Sequence, residues 1–393
     1  MYRFSQRLSW PSAPNAFSCR LQQKRVAGAK LLDLTVSNPT EAFEDYPHDR
    51  IARAFGAASD FTYHPDPAGQ EQARRAIAAY YAARNIVISP GRLLLTASTS
   101  EAYALLFKLL CDPGDEVLAP LPSYPLFEYL AAFESVRIVP YCLRYDGSWF
   151  VDMASLRPAV SPRARALIIV NPNNPTGSFL KQREAAELFR FANDRGLPVI
   201  SDEVFMDYSF GAAPGRLRTL IGADSILTFS LNGLSKAAGM PQMKLAWIAL
   251  SGPEPACESA RQRLELLSDT YLSVATPVQC ALPELLRVGS DMQQRIAQRL
   301  VRNLGALHAM LEQTPAHCLH VEGGWSAIVQ LPRTSTEEIW ITRLLEEQSV
   351  IVQPGYFFDM DSEPYLVLSL LTPPETFDEG VRRLRGLAGK EAE

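Results

Sequence analysis

The chain has 393 residues, is 47% hydrophobic and 21% charged, and carries a formal net charge of −5. That length exceeds one ordinary hydrophobic core and suits two domains, and the composition excludes a disordered chain. The acidic balance, with no basic run interleaved with aromatics, argues against nucleic-acid binding, and no stretch of about 18 apolar residues is present to span a membrane.

In chain order, Met1 to Pro11 lacks an apolar core of signal-peptide length, so a cytoplasmic protein is expected. Short apolar runs then alternate with helical patterns. Arg92 to Ala97 reads as a strand, Glu101 to Leu110 as a helix, and Glu116 to Ala119 as a strand after the turn at 112–115. Arg165 to Val170 is a continuous β-branched run closed by the turn-rich segment 171–177, and Lys181 to Asn193 is an amphipathic helix. Leu197 to Ser201, Ile226 to Leu231 and Lys244 to Leu250 follow as strands. Strands without apolar–polar alternation are buried on both faces, which predicts a mostly parallel sheet covered by helices. The pattern changes near Pro277. A helix over Asp291 to Glu312, strands at Ser326 to Leu331 and Tyr365 to Leu370, a helix between them over Thr336 to Glu347 and a last helix over Glu375 to Leu387 suggest a smaller α+β domain.

Six cysteines are scattered without a CxxC pair, which predicts reduced thiols. His317, Cys318 and His320 lie close together, but no second ligand cluster stands at zinc-like spacing, so a plain loop or strand is expected and no metal.

The candidate chemistry centres on Lys236. Asp202 ends the predicted strand Leu197 to Ser201, and a carboxylate leaving such a strand points into the crevice where open α/β sheets bind ligands. Lys236 follows the next strand by a short turn and can reach the same crevice. A lysine amine condenses with an aldehyde cofactor, and a nearby carboxylate keeps a pyridine nitrogen protonated, making the ring an electron sink. Ser98, Thr99 and Ser100 sit between a strand and a helix start, where free N–H groups and hydroxyls suit an anion. Ser98 to Glu101 also fits a capping box, and both readings can hold. Lys244 could bring a cation to the same anion.

These residues belong to an ordered set. Tyr63-His-Pro-Asp-Pro-Ala-Gly69, Pro122-Ser-Tyr124, Asn171-Pro-Asn-Asn174-Pro-Thr-Gly177, Ser201-Asp202-Glu203-Val204, Leu234-Ser235-Lys236 with Gly239 and Pro241, and Pro354-Gly355 follow one another as in the class I/II pyridoxal-phosphate-dependent aminotransferases, which the chain resembles over nearly its full length. The resemblance implies the fold-type I α/β architecture: a large domain with a mostly parallel seven-stranded sheet between helices, residues 46–277, and a smaller α+β domain formed by 278–393 with the N-terminal arm, 1–45. It implies pyridoxal 5'-phosphate held as a Schiff base by Lys236, which then moves the proton between substrate and cofactor. Asp202 would pair with the pyridinium, Asn174 would donate to the ring oxygen, and Tyr124 would stack on the ring. Ser98, Thr99, Ser100, Ser235 and Lys244 would serve the phosphate. Tyr63 would reach the phosphate of a neighbouring subunit, implying a homodimer with shared sites. Ser37 and Asn174 would contact substrate. The implied partners are a small-molecule amino donor and a keto acid acceptor, the amino group moving between them.

Three positions depart from the family pattern. Phe205 stands where a tyrosine usually donates a second hydrogen bond to the ring oxygen, and Tyr208 could substitute if the chain bends back. Lys244 replaces an arginine, keeping the charge and losing the bidentate fork. Val367, in Tyr365-Leu-Val-Leu-Ser369, occupies the place of the arginine that grips the substrate α-carboxylate; Arg382, Arg383 and Arg385 are expected on the solvated face of the last helix. Ser37 replaces a common glycine and narrows the pocket. The departures keep an alternative open, a lyase, decarboxylase or synthase on the same scaffold, and a cofactor-binding regulator is a third reading.

Overall fold

The computed structural model describes residues 2–10, 15–57, 62–360 and 364–392. Met1 and Pro11, the ends of the N-terminal stretch considered above, lie outside them. The centre is an eight-stranded sheet in the order Leu93–Thr96, Ala246–Ser251, Thr228–Gly233, Val199–Asp202, Ala164–Val170, Glu116–Leu121, Arg137–Tyr145, Trp149–Val151. The pairs among Thr228–Gly233, Val199–Asp202, Ala164–Val170, Glu116–Leu121 and Arg137–Tyr145 are parallel, while Ala246–Ser251 runs antiparallel to both neighbours.

The strands lack alternation because each face packs under helices. Ile168 and Val170 join Leu106 and Phe107 of the helix Thr99–Leu110 in one core. Leu167 and Ile169, pointing the other way, join Leu188 and Phe191 of the helix Gln182–Asn193 in another. Full burial of such a side chain is worth about 1.5–3 kcal/mol, and the sheet collects this on both faces.

The sheet exceeds the expected seven strands by the short antiparallel edge strand Trp149–Val151. The neighbouring strand Arg137–Tyr145 had no sequence signal, because Pro140 and the charges of Arg137 and Arg144 interrupt its apolar run and all of it but Tyr141 is at least partly exposed. The long helix begins fifteen residues before its expected start and spans Thr276–Leu311, carrying Pro283 inside it. Proline and the change of pattern near Pro277 masked that first part.

A second sheet of four strands takes the order His317–Cys318, Ser326–Gln330, Tyr365–Ser369, Gln353–Pro354, all antiparallel. The segment Leu32–Val36 ties this region to the rest. Leu32–Asp33 pairs with Val350–Ile351, Ser369 N donates to Leu34 O at 2.7 Å, and Ser369 Oγ donates to Val36 O at 2.5 Å. The helix Thr276–Leu311 makes the other tie. Its Gln293 donates to Ala237 O at 2.8 Å, and its Asn303 donates to Leu370 O and Thr372 O at 2.8 Å each. Gly289 permits this approach, since a Cβ there would lie 2.3 Å from Ala238 Cβ.

The loop 171–177 ends on Gly177 at φ +69°, where a Cβ would fall 2.4 Å from Gly323 O. Both the left-handed backbone and the close approach need glycine there. Gly177→Ala is expected to lower unfolding free energy by about 2 kcal/mol or more in urea titration; an unchanged midpoint would show that the two loops can separate freely.

A candidate cofactor site at the carboxyl edge of the sheet

Asp202 is the last residue of the strand Val199–Asp202, beside Val170 and Leu231 on the neighbouring strands. It is buried, accepts from Tyr103 Oη at 3.1 Å and from Val204 N at 3.2 Å, and opens into a cavity of about 360 Å³. Burial raises its pKa to about 6, against the opposing pull of Val204 N–H, the Tyr103 hydroxyl and Lys236. The next residue, Glu203, points to the other side of the strand and is absorbed by structure. It accepts from Thr219, Leu220 N, Ser201 and Ser230, and burial raises its pKa to about 7.

Lys236 lies on a single helical turn, Leu234–Ala237, that follows the strand Thr228–Gly233. Its Nζ stands 5.3 Å from the Trp325 ring centre and 5.9 Å from that of Phe205. Burial lowers its pKa, and Asp202 pulls the other way. Neither Lys236 nor Lys244 has an ion-pair partner among the described residues. Lys244 lines the same cavity from a left-handed backbone position, φ 49°, which a non-glycine residue adopts at a cost.

The helix Thr99–Leu110 starts at the cavity. Ser98 Oγ accepts from Glu101 N at 3.1 Å and caps the helix, but the Glu101 carboxylate accepts from Ala97 N at 2.5 Å and not from Ser98 N, so only half of the expected capping box forms. The N–H groups of Thr99 and Ser100 remain without a backbone acceptor at the positive end of a twelve-residue helix. Ser98, Thr99, Ser100, Tyr124, Asn174, Asp202, Ser235, Lys236, Lys244 and Ser37 therefore all line one cavity. An aldehyde-bearing pyridine phosphate fits this donor set: an anion seat at a helix start beside a cation, an amine, and a buried carboxylate.

Tyr63 is not among these residues. It is 66% exposed and lines a separate pocket of about 40 Å³ with Glu101, Tyr271 and Gln279, so within one chain it does not reach the cavity. Tyr208 does not replace the hydroxyl missing at Phe205, because its own hydroxyl is donated to Lys236 O at 2.6 Å. Phe205 itself lines the cavity against Trp325. His317 and Cys318 form a two-residue strand, and no group of three metal-binding side chains occurs among the described residues.

Val367 shares its sheet face with the cavity-lining Gln353 and Ser369 but is covered by apolar neighbours. It is buried with Trp149, Leu319, Ile328, Phe358 and Met360. Arg382 and Arg383 pair with Glu379 on the last helix, and among the described residues no arginine lines the cavity. The residues that do line this side are Thr35, Trp325, Ser326, Gln353, Phe358 and Ser369. Sequence reasoning missed these and Tyr103. Tyr103 lies three and four residues after Ser100 and Thr99, on the same helix face, and that spacing could have found it. The small-sheet residues come together only through strand register, which no local pattern reveals.

The pH behaviour of the cofactor-free protein follows from Asp202. A carboxyl raised to about 6 stabilises the fold fully below its unfolded value near 4 and loses that contribution as pH rises through 6. Asp202→Asn is expected to raise cofactor-free stability at pH 7.5 by on the order of 3 kcal/mol, with little difference at pH 4. Urea titrations at both pH values check this; an equal effect at both would refute it.

The "Aminotransferase class I and II" family profile matches residues 29–384. The glutamate-pyruvate aminotransferase AlaA of Haemophilus influenzae is 25% identical over 369 residues, 91% of this chain and 90% of that one. The tyrosine aminotransferase of Dictyostelium discoideum is 24% identical over 353 residues, 86% of this chain and 84% of that one. The solved alanine aminotransferase of Pyrococcus furiosus shares the fold with a TM-score of 0.88, at 24% identity, covering 99% of this chain and 100% of that chain. With nearly its whole length matched, the chain belongs to the class I and II aminotransferase family, and it is a transaminase that moves an amino group between an amino donor and a keto acid.

Proposed function

We propose that the cavity at the carboxyl edge of the sheet holds pyridoxal 5'-phosphate and that Lys236 is the residue joined to it. Bound there, the cofactor supplies an aldehyde that takes up and returns the amino group and a ring that withdraws electrons from the reacting carbon. The observation that carries the reading is Lys236 Nζ, unpaired and buried between aromatic rings, across one cavity from the buried carboxylate of Asp202. Burial disfavours the ammonium form, so Nζ is ready to accept a proton from the substrate carbon and return it.

The other residues take roles that their placement supports. Asp202, oriented by Tyr103 and Val204 N–H, keeps a proton on the pyridine nitrogen, and the cation it gains there ionises it. The Thr99 and Ser100 N–H groups, with Ser98, Ser235 and Lys244, receive the phosphate. Asn174 accepts from Ser326 through its amide oxygen at 3.4 Å, which leaves its NH2 for the ring oxygen. Tyr124 stacks on the ring, and Ser37 bounds the substrate. Tyr63, exposed and outside its own chain's cavity, serves the site of a second copy in a homodimer. We place the enzyme in the cytoplasm; among the described residues no helix is long and apolar enough to cross a membrane.

A half-reaction assay tests the assignment. The visible band of the loaded protein is expected to bleach with an amino donor and return with a keto acid. Lys236→Ala should slow turnover by roughly 10²–10⁴-fold or more; near-normal turnover in that variant would remove Lys236 from its role. Because Phe205 offers no hydroxyl to the ring oxygen, the Lys236–cofactor chromophore should titrate at higher pH than with tyrosine there. Phe205→Tyr is expected to lower that titration point, read by absorbance against pH, and a point that stays or rises contradicts the account.

A further inference from the structure

The substrate side of the cavity carries hydrogen-bonding groups whose protons are already committed. Thr35 Oγ1 donates to Asp33 at 2.6 Å, Ser369 Oγ donates to Val36 O at 2.5 Å, and Ser326 Oγ donates to Asn174 Oδ1 at 3.4 Å. A hydroxyl has one proton, so these oxygens turn lone pairs toward a ligand. Ser369 Oγ also accepts from Leu371 N at 3.2 Å and has little left to offer. A carboxylate is acceptor-only and finds lone pairs opposite its own. The charge balance points the same way. The lining lysines are Lys236 and Lys244, and the proposed cofactor engages both, while the acidic side chain just behind Thr35 is Asp33.

Among the described residues, Trp325 Nε1 lacks a hydrogen-bond partner but is itself buried, so the uncommitted donor on this wall that is not buried is that of Gln353. Gln353 is the cross-strand partner of Val367, so the two side chains project from the same face of the small sheet at the place where the family arginine would stand. Its carboxamide is half-exposed to the cavity and has no partner among the described residues. It offers a neutral donor and a neutral acceptor together.

We propose, resting on the aminotransferase reading above, that the substrate this cavity selects is a primary amine bearing a neutral hydrogen-bond donor, a hydroxyl or carboxamide, where an α-amino acid bears its carboxylate. Gln353 reads that group from one side, and the lone pairs of Ser326 and Thr35 accept from it on the other. The carboxylate-bearing partner of the exchange binds weakly and is used at high concentration. A site that satisfies a donor group discriminates strongly against an analogue lacking it, because its acceptors are then left facing charge or nothing.

Equilibrium calorimetry on the cofactor-loaded enzyme tests this with three ligands that have no transferable hydrogen on the reacting carbon: 2-amino-2-methyl-1-propanol, 2-methylalaninamide and 2-methylalanine. The alcohol and the amide are expected to bind at least tenfold tighter than the acid. Equal or tighter binding of 2-methylalanine overturns the proposal and shows that a carboxylate clamp comes from elsewhere, a partner subunit included. Gln353→Leu should weaken the neutral ligands about tenfold without improving the acid, and Gln353→Arg should reverse the preference. Neutral-ligand affinity unchanged in Gln353→Leu removes Gln353 from the reading of the group. Single-turnover bleaching by L-alaninol and L-alanine separates the two levels of the argument. If neither these two nor any other amine or amino acid of a panel bleaches the band, the assignment of Lys236 and the cavity to the cofactor fails, while the calorimetric ranking still decides which head group the wall accepts.

Discussion

The site depends on one costly arrangement, a carboxylate and an amine buried in the same cavity with too few partners of their own. Asp202 has two neutral donors, Tyr103 and the Val204 N–H, and these do not offset the loss of water. Lys236 has aromatic rings for neighbours. Alone, each group would tend toward its neutral form. A ligand that brings a ring cation to Asp202 and an aldehyde to Lys236 relieves both at once. On the proposed assignment, part of the cofactor affinity is stored in these two groups as unsatisfied electrostatics.

The sheet supplies the geometry. Parallel strands buried on both faces bring Asp202, the Lys236 turn and the loop 171–177 to one edge, and the helix Thr99–Leu110 delivers its positive end and Tyr103 to the same place. The small sheet closes the opposite side, held by Leu32–Val36, and the side chains it contributes to the cavity, Ser326, Gln353 and Ser369, are neutral. In the proposed reading the two halves of the cavity obey different rules: ionic toward the cofactor, neutral toward the substrate.

Much of this half-and-half character was readable from the chain. Lys236, Asp202, Asn174 and Ser98–Ser100 are short local motifs next to strand ends, so position in sequence implied position in the fold. The loss of arginine at Val367 was equally visible, since it is a single residue in a recognisable strand. What replaces it was not. Gln353 matters only because it stands opposite Val367 in an antiparallel register, and the donor direction of Ser326 and Ser369 depends on acceptors 152 and 333 residues away in the chain. The Arg137–Tyr145 strand and the first half of the long helix escaped for a simpler reason: each contains a proline that long-range packing overrides.

The helix Thr276–Leu311 holds the Lys236 turn through Gln293 and the end of the last small-sheet strand through Asn303. Ten residues separate those two side chains, about 15 Å along a helix at its ordinary rise. The span of the cavity is thus gauged by a stiff rod and not by flexible connections. Its hydrogen bonds would have to stretch or bend before the two walls could separate at this point. Substrates of different length must then be accommodated by side chains or by the Leu32–Val36 strap, and a lineage of such enzymes could change its head-group selectivity residue by residue while the ruler that sets the width stayed fixed.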